Sequence, residues 1–326
     1  MGAWKIQSNS SVGILSRALL MIITRLYCGL GNQMFQYAAG LSLAHHHQTT
    51  LKLDVSWFSE GKATAFHERY GLDCFNVTEQ FATDQEIDFH RGLMKNVSED
   101  RYSRILSKMG LSRYANLLPL GGQWYMQKGF HFDPDFYQSP QKCLIDGGFQ
   151  SEKYFSPVAN ILKKHFSFRY PPTLGVSKLE DEIAQSNAVS VHFRRGDFVA
   201  NETYKNSISA LGLGYYKNAF QMILERVQDP KFYVFSDDID YARTCGICPK
   251  DSVFVDCVEH WHAYDKIRLM SLCKNFIISN STFAWWGAWL SEAKDKSVIY
   301  PDPWFANMPQ NDSSDLCPAS WLPVTR

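Results

Sequence analysis

Two adjacent arginines set the chemistry of this chain. In His192-Phe-Arg-Arg-Gly-Asp197 they follow a short apolar, β-branched run, Ala188–Phe193. Tandem guanidiniums at the end of a buried strand need anionic partners, so the pattern points to an anion site. Two more polar clusters, Ser236-Asp-Asp238 and Ser279-Asn-Ser-Thr282, end similar runs. Taken singly, Asp238 and Thr282 read as helix caps. Taken together the clusters read as one site, because a doubly wound sheet gathers the C-terminal ends of its strands on one edge.

A fourth polar turn, Cys28-Gly-Leu-Gly-Asn32, separates a strand, Met21–Tyr27, from a helix, Gln33–Ala44, with Met34, Phe35, Ala38 and Leu41 on one face. Leu51–Asp54 reads as the next strand. Such a strand–turn–helix unit offers backbone N–H groups to a phosphate at the helix N-terminus. The dinucleotide fingerprint is incomplete, since Met34 stands where its third glycine belongs. Asp54, 25 residues after Gly29, still keeps an NAD-dependent oxidoreductase as an alternative. A non-catalytic nucleotide- or carbohydrate-binding protein is the other alternative.

The elements that must position these clusters alternate clearly from Ala188 onward. Strands are expected at Ala188–Phe193, Lys231–Phe235, Ser252–Val255, Phe276–Ile278 and Ser297–Tyr300. Helices are expected at Tyr215–Val227, Ile239–Cys245, Tyr264–Cys273 and Thr282–Ala293. That alternation implies right-handed βαβ units and a parallel sheet. Between Phe75 and Pro172 the pattern is looser, with helices expected at Thr83–Leu93 and Ser151–Phe166. The aromatics of Gln123–Tyr137 read as core more readily than as a sugar-stacking wall, and so do Trp285, Trp286 and Trp289. Ser167–Ser177, with Pro171 and Pro172, is the best linker. The expected fold class is therefore α/β, with two Rossmann-like lobes facing a central cleft and a doubly wound parallel sheet in the C-terminal one. The expected divisions are an extension at 1–20, a lobe at 21–170 and a second lobe at 171–326.

Composition narrows the class further. The 326 residues balance 33 Lys and Arg against 33 Asp and Glu, without the basic excess of a nucleic-acid binder. No run approaches the roughly 18 apolar residues of a membrane span, which leaves room only for peripheral membrane association. Met21 reads as a natural start, and a cytoplasmic location is expected. Eight cysteines are too sparse for a disulfide scaffold, and Cys245-x-x-Cys248 has no second half for a zinc site. No metal is expected. Asp238-x-Asp240 has the form of a metal-binding pair, but so does Asp133-x-Asp135.

Three motifs in order now resemble the α-1,2-fucosyltransferases, and most closely the soluble bacterial members. They are Gly29-Leu-Gly-Asn-Gln-Met-Phe-Gln-Tyr-Ala-Ala39, Val191-His-Phe-Arg-Arg-Gly-Asp-Phe198 and Ser279-Asn-Ser-Thr-Phe-Ala-Trp-Trp-Gly-Ala-Trp-Leu290. The resemblance runs from about Met21 to Phe305. It implies a GT-B-like fold and transfer of L-fucose from GDP-fucose to a sugar hydroxyl, with inversion and without a metal or other cofactor. The implied acceptor is a galactoside-containing glycan, for example of O-antigen type. The resemblance places His192 and Arg194 on the donor pyrophosphate, with Arg195 supporting or sharing that role. The resemblance makes 171–326 the GDP-fucose-binding lobe and 21–170 the acceptor side, from which Gly29, Leu30, Gly31 and Asn32 would line the cleft. Asp237 would bind guanine or ribose, and Ser281, Thr282 and Phe283 would hold the phosphates.

The chemistry such a transfer demands can be stated independently. Breaking a glycosyl–phosphate bond passes through an oxocarbenium-like state while charge builds on the leaving nucleotide. That charge needs preorganised donors, and Arg194 and Arg195 with backbone N–H groups can fill the role of a metal. A general base for the acceptor hydroxyl is the remaining requirement. Asp197, within the arginine motif, and Glu202, in the loop Val199–Gly214, are the candidates. That loop and Gln123–Tyr137 are the candidate acceptor contacts.

Overall fold

The computed structural model describes residues 20–60, 69–91, 123–202, 208–256, 262–308 and 311–326. The proposed N-terminal extension, apart from residue 20, and residues 203–207 of the candidate acceptor loop lie outside them.

Two parallel sheets organise the chain. The first uses β1 (Met21–Arg25), β2 (Thr50–Asp54), β3 (Trp124–Met126) and β4 (Cys143–Asp146) in the order β2-β1-β4-β3. The second uses β5 (Asn187–Phe193), β6 (Pro230–Ser236), β7 (Val253–Phe254), β8 (Asn275–Ile277), β9 (Val298–Asp302) and β10 (Leu322–Thr325). Its order is β10-β9-β8-β5-β6-β7. Both sheets are parallel throughout, which suits strands whose apolar runs are buried on both faces.

The helices cover these faces. α1 (Leu30–His46) follows β1, and α2 (Asp84–Arg91) and α3 (Ala159–His165) complete the first half. α4 (Val176–Ala184) leads into β5, and α5 (Gly196–Ala200) and α6 (Leu213–Leu224) follow it. α7 (Ile239–Thr244), α8 (Ala263–Leu272) and α9 (Thr282–Leu290) follow β6, β7 and β8. α1 lies so close to its sheet that a Cβ on Gly40 would stand 2.9 Å from Thr24 Cβ. Gly40 thus supplies the tight helix–sheet approach for which the nucleotide fingerprint uses its third glycine.

The core shows how the two halves are joined. Val189, Val191, Tyr215 and Phe220 fill one face of the second sheet. A larger cluster runs without a break from Ile22, Phe35 and Phe155 through Trp285 and Trp286 to Tyr233, Phe235 and Phe276. The Phe35 ring lies 4.6 Å from Trp285 and 4.8 Å from Trp286, and Phe155 stacks on Trp286 at 5.4 Å. The tryptophans of α9 are core, as the sequence implies. The rings they meet, however, belong largely to the first half of the chain, so they join the halves as well as anchoring a helix.

Three local expectations change. Ser151–Phe166 is not one helix: two 3-10 turns, Glu152–Tyr154 and Ser156–Val158, precede α3. Pro157 starts the second turn, and buried Phe155 between them holds a non-helical φ of −141°. α9 stops at Leu290, not Ala293, because Lys296 Nζ takes the carbonyls of Ala288 and Ser291 at 2.7 Å. The second sheet does not close at Tyr300, since β10 adds an edge strand. β3 and β4 fall within the stretch whose sequence pattern is loose, each too short to show a period. Their residues, including Tyr125 and the nearby Phe136, pack as core, not as a sugar-facing wall.

Candidate active site

The second sheet reverses its strand order between β5 and β8, and an open α/β sheet holds its ligand in the crevice above such a switch point. His192 of β5 and Ser279 after β8 bridge it, with Nδ1 and Oγ 2.7 Å apart. His192 is buried. Burial first, then the positive charges of Arg194 and Lys266, pushes it down to about 3, so it is neutral at any working pH.

The arginine segment leaves β5 beside this pair and is clamped from β6. Arg194 Nη1 meets Asp237 Oδ2 at 3.0 Å, and the N–H of Arg195 donates to Asp237 Oδ1 at 2.8 Å. Both oxygens of Asp237 therefore engage the arginine segment. Arg195 is turned elsewhere: its Nε meets Asp238 Oδ2 at 3.2 Å and its guanidinium lies 3.4 Å over the Tyr241 ring. Asp238 also caps α7 by accepting from Tyr241 N, the role expected of it. The two arginines are thus unequal, Arg195 being fixed against α7 and Arg194 standing at the switch point.

The glycine turn reaches the same place from the first half. A Cβ on Gly31 would stand 2.6 Å from both Phe283 N and the carbonyl carbon of Thr282. Gly31 O accepts from Trp286 Nε1 at 2.9 Å. The N-termini of α1 and α9 are therefore in contact. Neither N-cap, Gly29 or Ser281, makes a side-chain capping bond. Like-signed helix ends repel, and uncapped N–H groups seek an acceptor, so their meeting suits an anion.

Of the expected donor residues, Gly31 meets Thr282 and Phe283, the Phe283 ring lies 6.2 Å from His192, and the Arg194 charge acts on that histidine. The Leu30 side chain lies against Gly71, and the Asn32 side chain accepts from Gln150. Asp197 lies within α5, and its side chain is outside what the structure describes. Glu202 is exposed at the rim of the loop. Asp54, the ribose-binding acid of the oxidoreductase alternative, is fully buried, with Arg91 Nη2 at 2.9 Å. Lys266 adjoins the candidate site, and sequence reasoning passes over it. It lies in the first turn of α8, its Nζ donates to Ser236 O at 3.2 Å, and its charge acts on His192. A lysine at the start of a helix on the ligand edge was the available signal.

This fold is of the GT-B type. The α-1,6-fucosyltransferase NodZ, in a crystal soaked with GDP-fucose, superposes with a TM-score of 0.52 over 87% of this chain and 95% of its own, at 13% identity. The chain belongs to glycosyl transferase family 11, whose profile matches residues 146–315. It is similar to an α-1,2-colitosyltransferase of Escherichia coli, 30% identical over 94% of this chain and 99% of the relative. It is also similar to the O-antigen biosynthesis glycosyltransferase WbnK of Escherichia coli, 28% identical over 90% of this chain and 97% of WbnK. Family membership removes the oxidoreductase alternative. Among the described residues, no helix is long and apolar enough to cross a membrane.

Proposed function

We propose that this glycosyltransferase moves L-fucose from GDP-β-L-fucose to the 2-hydroxyl of a terminal β-galactosyl unit, with inversion and without a metal. The observation that carries the reading is the meeting of two uncapped helix N-termini beside Arg194 at the switch point. The donor diphosphate lies in that corner. Thr282 and Phe283 supply backbone N–H groups and Ser281 its hydroxyl, while Arg194 and Lys266 supply charge. With the Ser279 hydroxyl donating to Nδ1, neutral His192 carries its proton on Nε2 and directs it at a phosphate oxygen. As the fucose–phosphate bond lengthens, these donors stabilise the charge gathering on GDP. Asp237 holds Arg194 in place, and Arg195 braces the segment against α7. Asp197 or Glu202 takes the acceptor proton.

A second donor is favoured by one observation, the colitosyltransferase relative that covers nearly the whole chain. The test is GDP release in excess EDTA from GDP-fucose and from GDP-colitose, with lactose and simple β-galactosides as acceptors. Acceptor-dependent release from GDP-fucose with a 2-linked product by NMR is expected. Release from GDP-colitose alone would replace the donor, and activity abolished by EDTA would overturn the metal-free reading. A folded protein that binds GDP without turnover would favour a binding role.

A further inference from the structure

The first sheet has its own switch point, between β1 and β4, and the donor chemistry makes no use of it. Arg25 ends β1 and Asp146 ends β4. Arg25 Nη1 and Asp146 Oδ2 meet across the gap at 3.1 Å, and Arg25 Nη2 reaches Glu60 at 3.3 Å. Four residues beyond Asp146, Gln150 Nε2 donates to Asn32 Oδ1 at 3.0 Å. Asn32 adjoins Gly31, the point of contact with Thr282. An amide pair and an ion pair therefore sit on the edge that meets the donor corner.

The chain is forced into this arrangement. Phe149, between Asp146 and Gln150, has a φ of +48° although it is not glycine. Its buried ring and two bonds hold it there: its N–H donates to Gln127 Oε1 at 2.7 Å, and its carbonyl accepts from Ser151 N at 2.8 Å. Left-handed backbone is strained at a bulky residue and persists only where the surrounding structure over-determines it. Here it presents the half-buried Gln150 to the half-buried Asn32.

Amides carry both donors and acceptors, and the Arg25 guanidinium held between the carboxylates of Asp146 and Glu60 sets N–H groups beside lone pairs with acceptors in excess. That set matches the vicinal hydroxyls of a neutral sugar and is poorly matched to a phosphate. Resting on the transferase reading, we infer that Asn32, Gln150, Arg25 and Asp146 form the acceptor-hexose subsite, with Gln150 as its central specificity residue. Asn32, expected with the donor, then reads the acceptor from the same turn.

The test measures sugar binding directly, by saturation-transfer NMR titration of methyl β-D-galactoside and lactose onto the full chain saturated with GDP. Gln150→Ala is expected to weaken sugar binding at least tenfold while GDP affinity stays within twofold and the melting temperature stays near wild type. Asp146→Asn, which keeps shape, is expected to weaken the sugar three- to tenfold and carries the test if Gln150→Ala fails to fold. Wild-type sugar affinity in both variants, an equal loss of GDP affinity, or a wild-type chain that binds neither sugar would overturn the subsite. A wild type that binds the sugars at Gln150 but releases no GDP from GDP-fucose would sink the donor reading and leave the subsite standing.

Discussion

Both sheets reverse strand order, and the polar groups above the two reversals differ in kind. Above β5 and β8 stand a neutral histidine, a hydroxyl, Arg194 and two uncapped helix ends. Above β1 and β4 stand a salt-bridged arginine and carboxylate with a pair of amides. The first set is rich in donors, the second mixes donors with acceptors. The difference teaches that two edges of the same design carry different chemistry, one suited to a charged group and the other to a neutral one. What joins them is not a flexible hinge but a shared aromatic core centred on Phe35, Phe155, Trp285 and Trp286.

The largest effect should come from breaking the donor side alone. Arg194→Ala should lower kcat by about 100- to 1,000-fold, the usual cost of one transition-state donor, with little change in melting temperature. Arg195→Ala should cost far less in rate and more in stability, because its guanidinium is stacked on Tyr241 and paired with Asp238. Steady-state kinetics and thermal melts of the two variants check the contrast. Equal rate losses in both would show that the arginines act as one unit.

Next come changes at the joint. Gly31→Ala places a methyl where Thr282 and Phe283 already stand, so it should destabilise by roughly 1–3 kcal/mol and weaken GDP binding as the helix ends part. Trp286→Phe removes the bond to Gly31 O and part of a buried ring, and about 1–2 kcal/mol should be lost. Because the core is continuous, calorimetry should still show one transition for both sheets. Two separated transitions in the Trp286 variant would mean that the halves fold independently.

The donor edge was legible in the sequence because β5 and β6 are seven residues each and the three-residue β8 stands between two helices of clear period. His192, Arg194, Asp237 and Ser279 could be placed together from β5, β6 and β8 alone. The second edge was not legible. β3 and β4 span Trp124–Met126 and Cys143–Asp146, short strands in a stretch without regularly alternating helices to frame them. Gln150 is delivered by a left-handed Phe149, which no local rule assigns to a bulky residue. The Gly31 turn read as a phosphate loop, and only packing showed that its missing side chain is filled by α9. Long-range contacts decided what short-range pattern could not.

The smallest effect concerns protons and sharpens the comparison at the donor edge. An exposed histidine titrates near 6.5, whereas His192 in the folded chain is held down to about 3 by burial and by Arg194 and Lys266. Between those values the unfolded chain binds a proton that the native chain refuses, so native stability rises with pH. The contribution is fully present above about pH 6.5 and is lost progressively as pH falls toward 3. One such proton gives a slope of at most about 1.4 kcal/mol per pH unit. Buried His90, lowered to about 4, adds a slope of the same sign, so the two must be separated. Urea unfolding at a series of pH values between 4 and 7 should show a shallower dependence in His192→Gln than in wild type. His90→Gln should remove the other part. An unchanged slope in His192→Gln would mean that the native imidazole takes up its proton like an exposed one and is charged below about pH 6.5. In mildly acidic solution it would then add a positive charge to the donor edge, and the contrast between the edges would sharpen as pH falls.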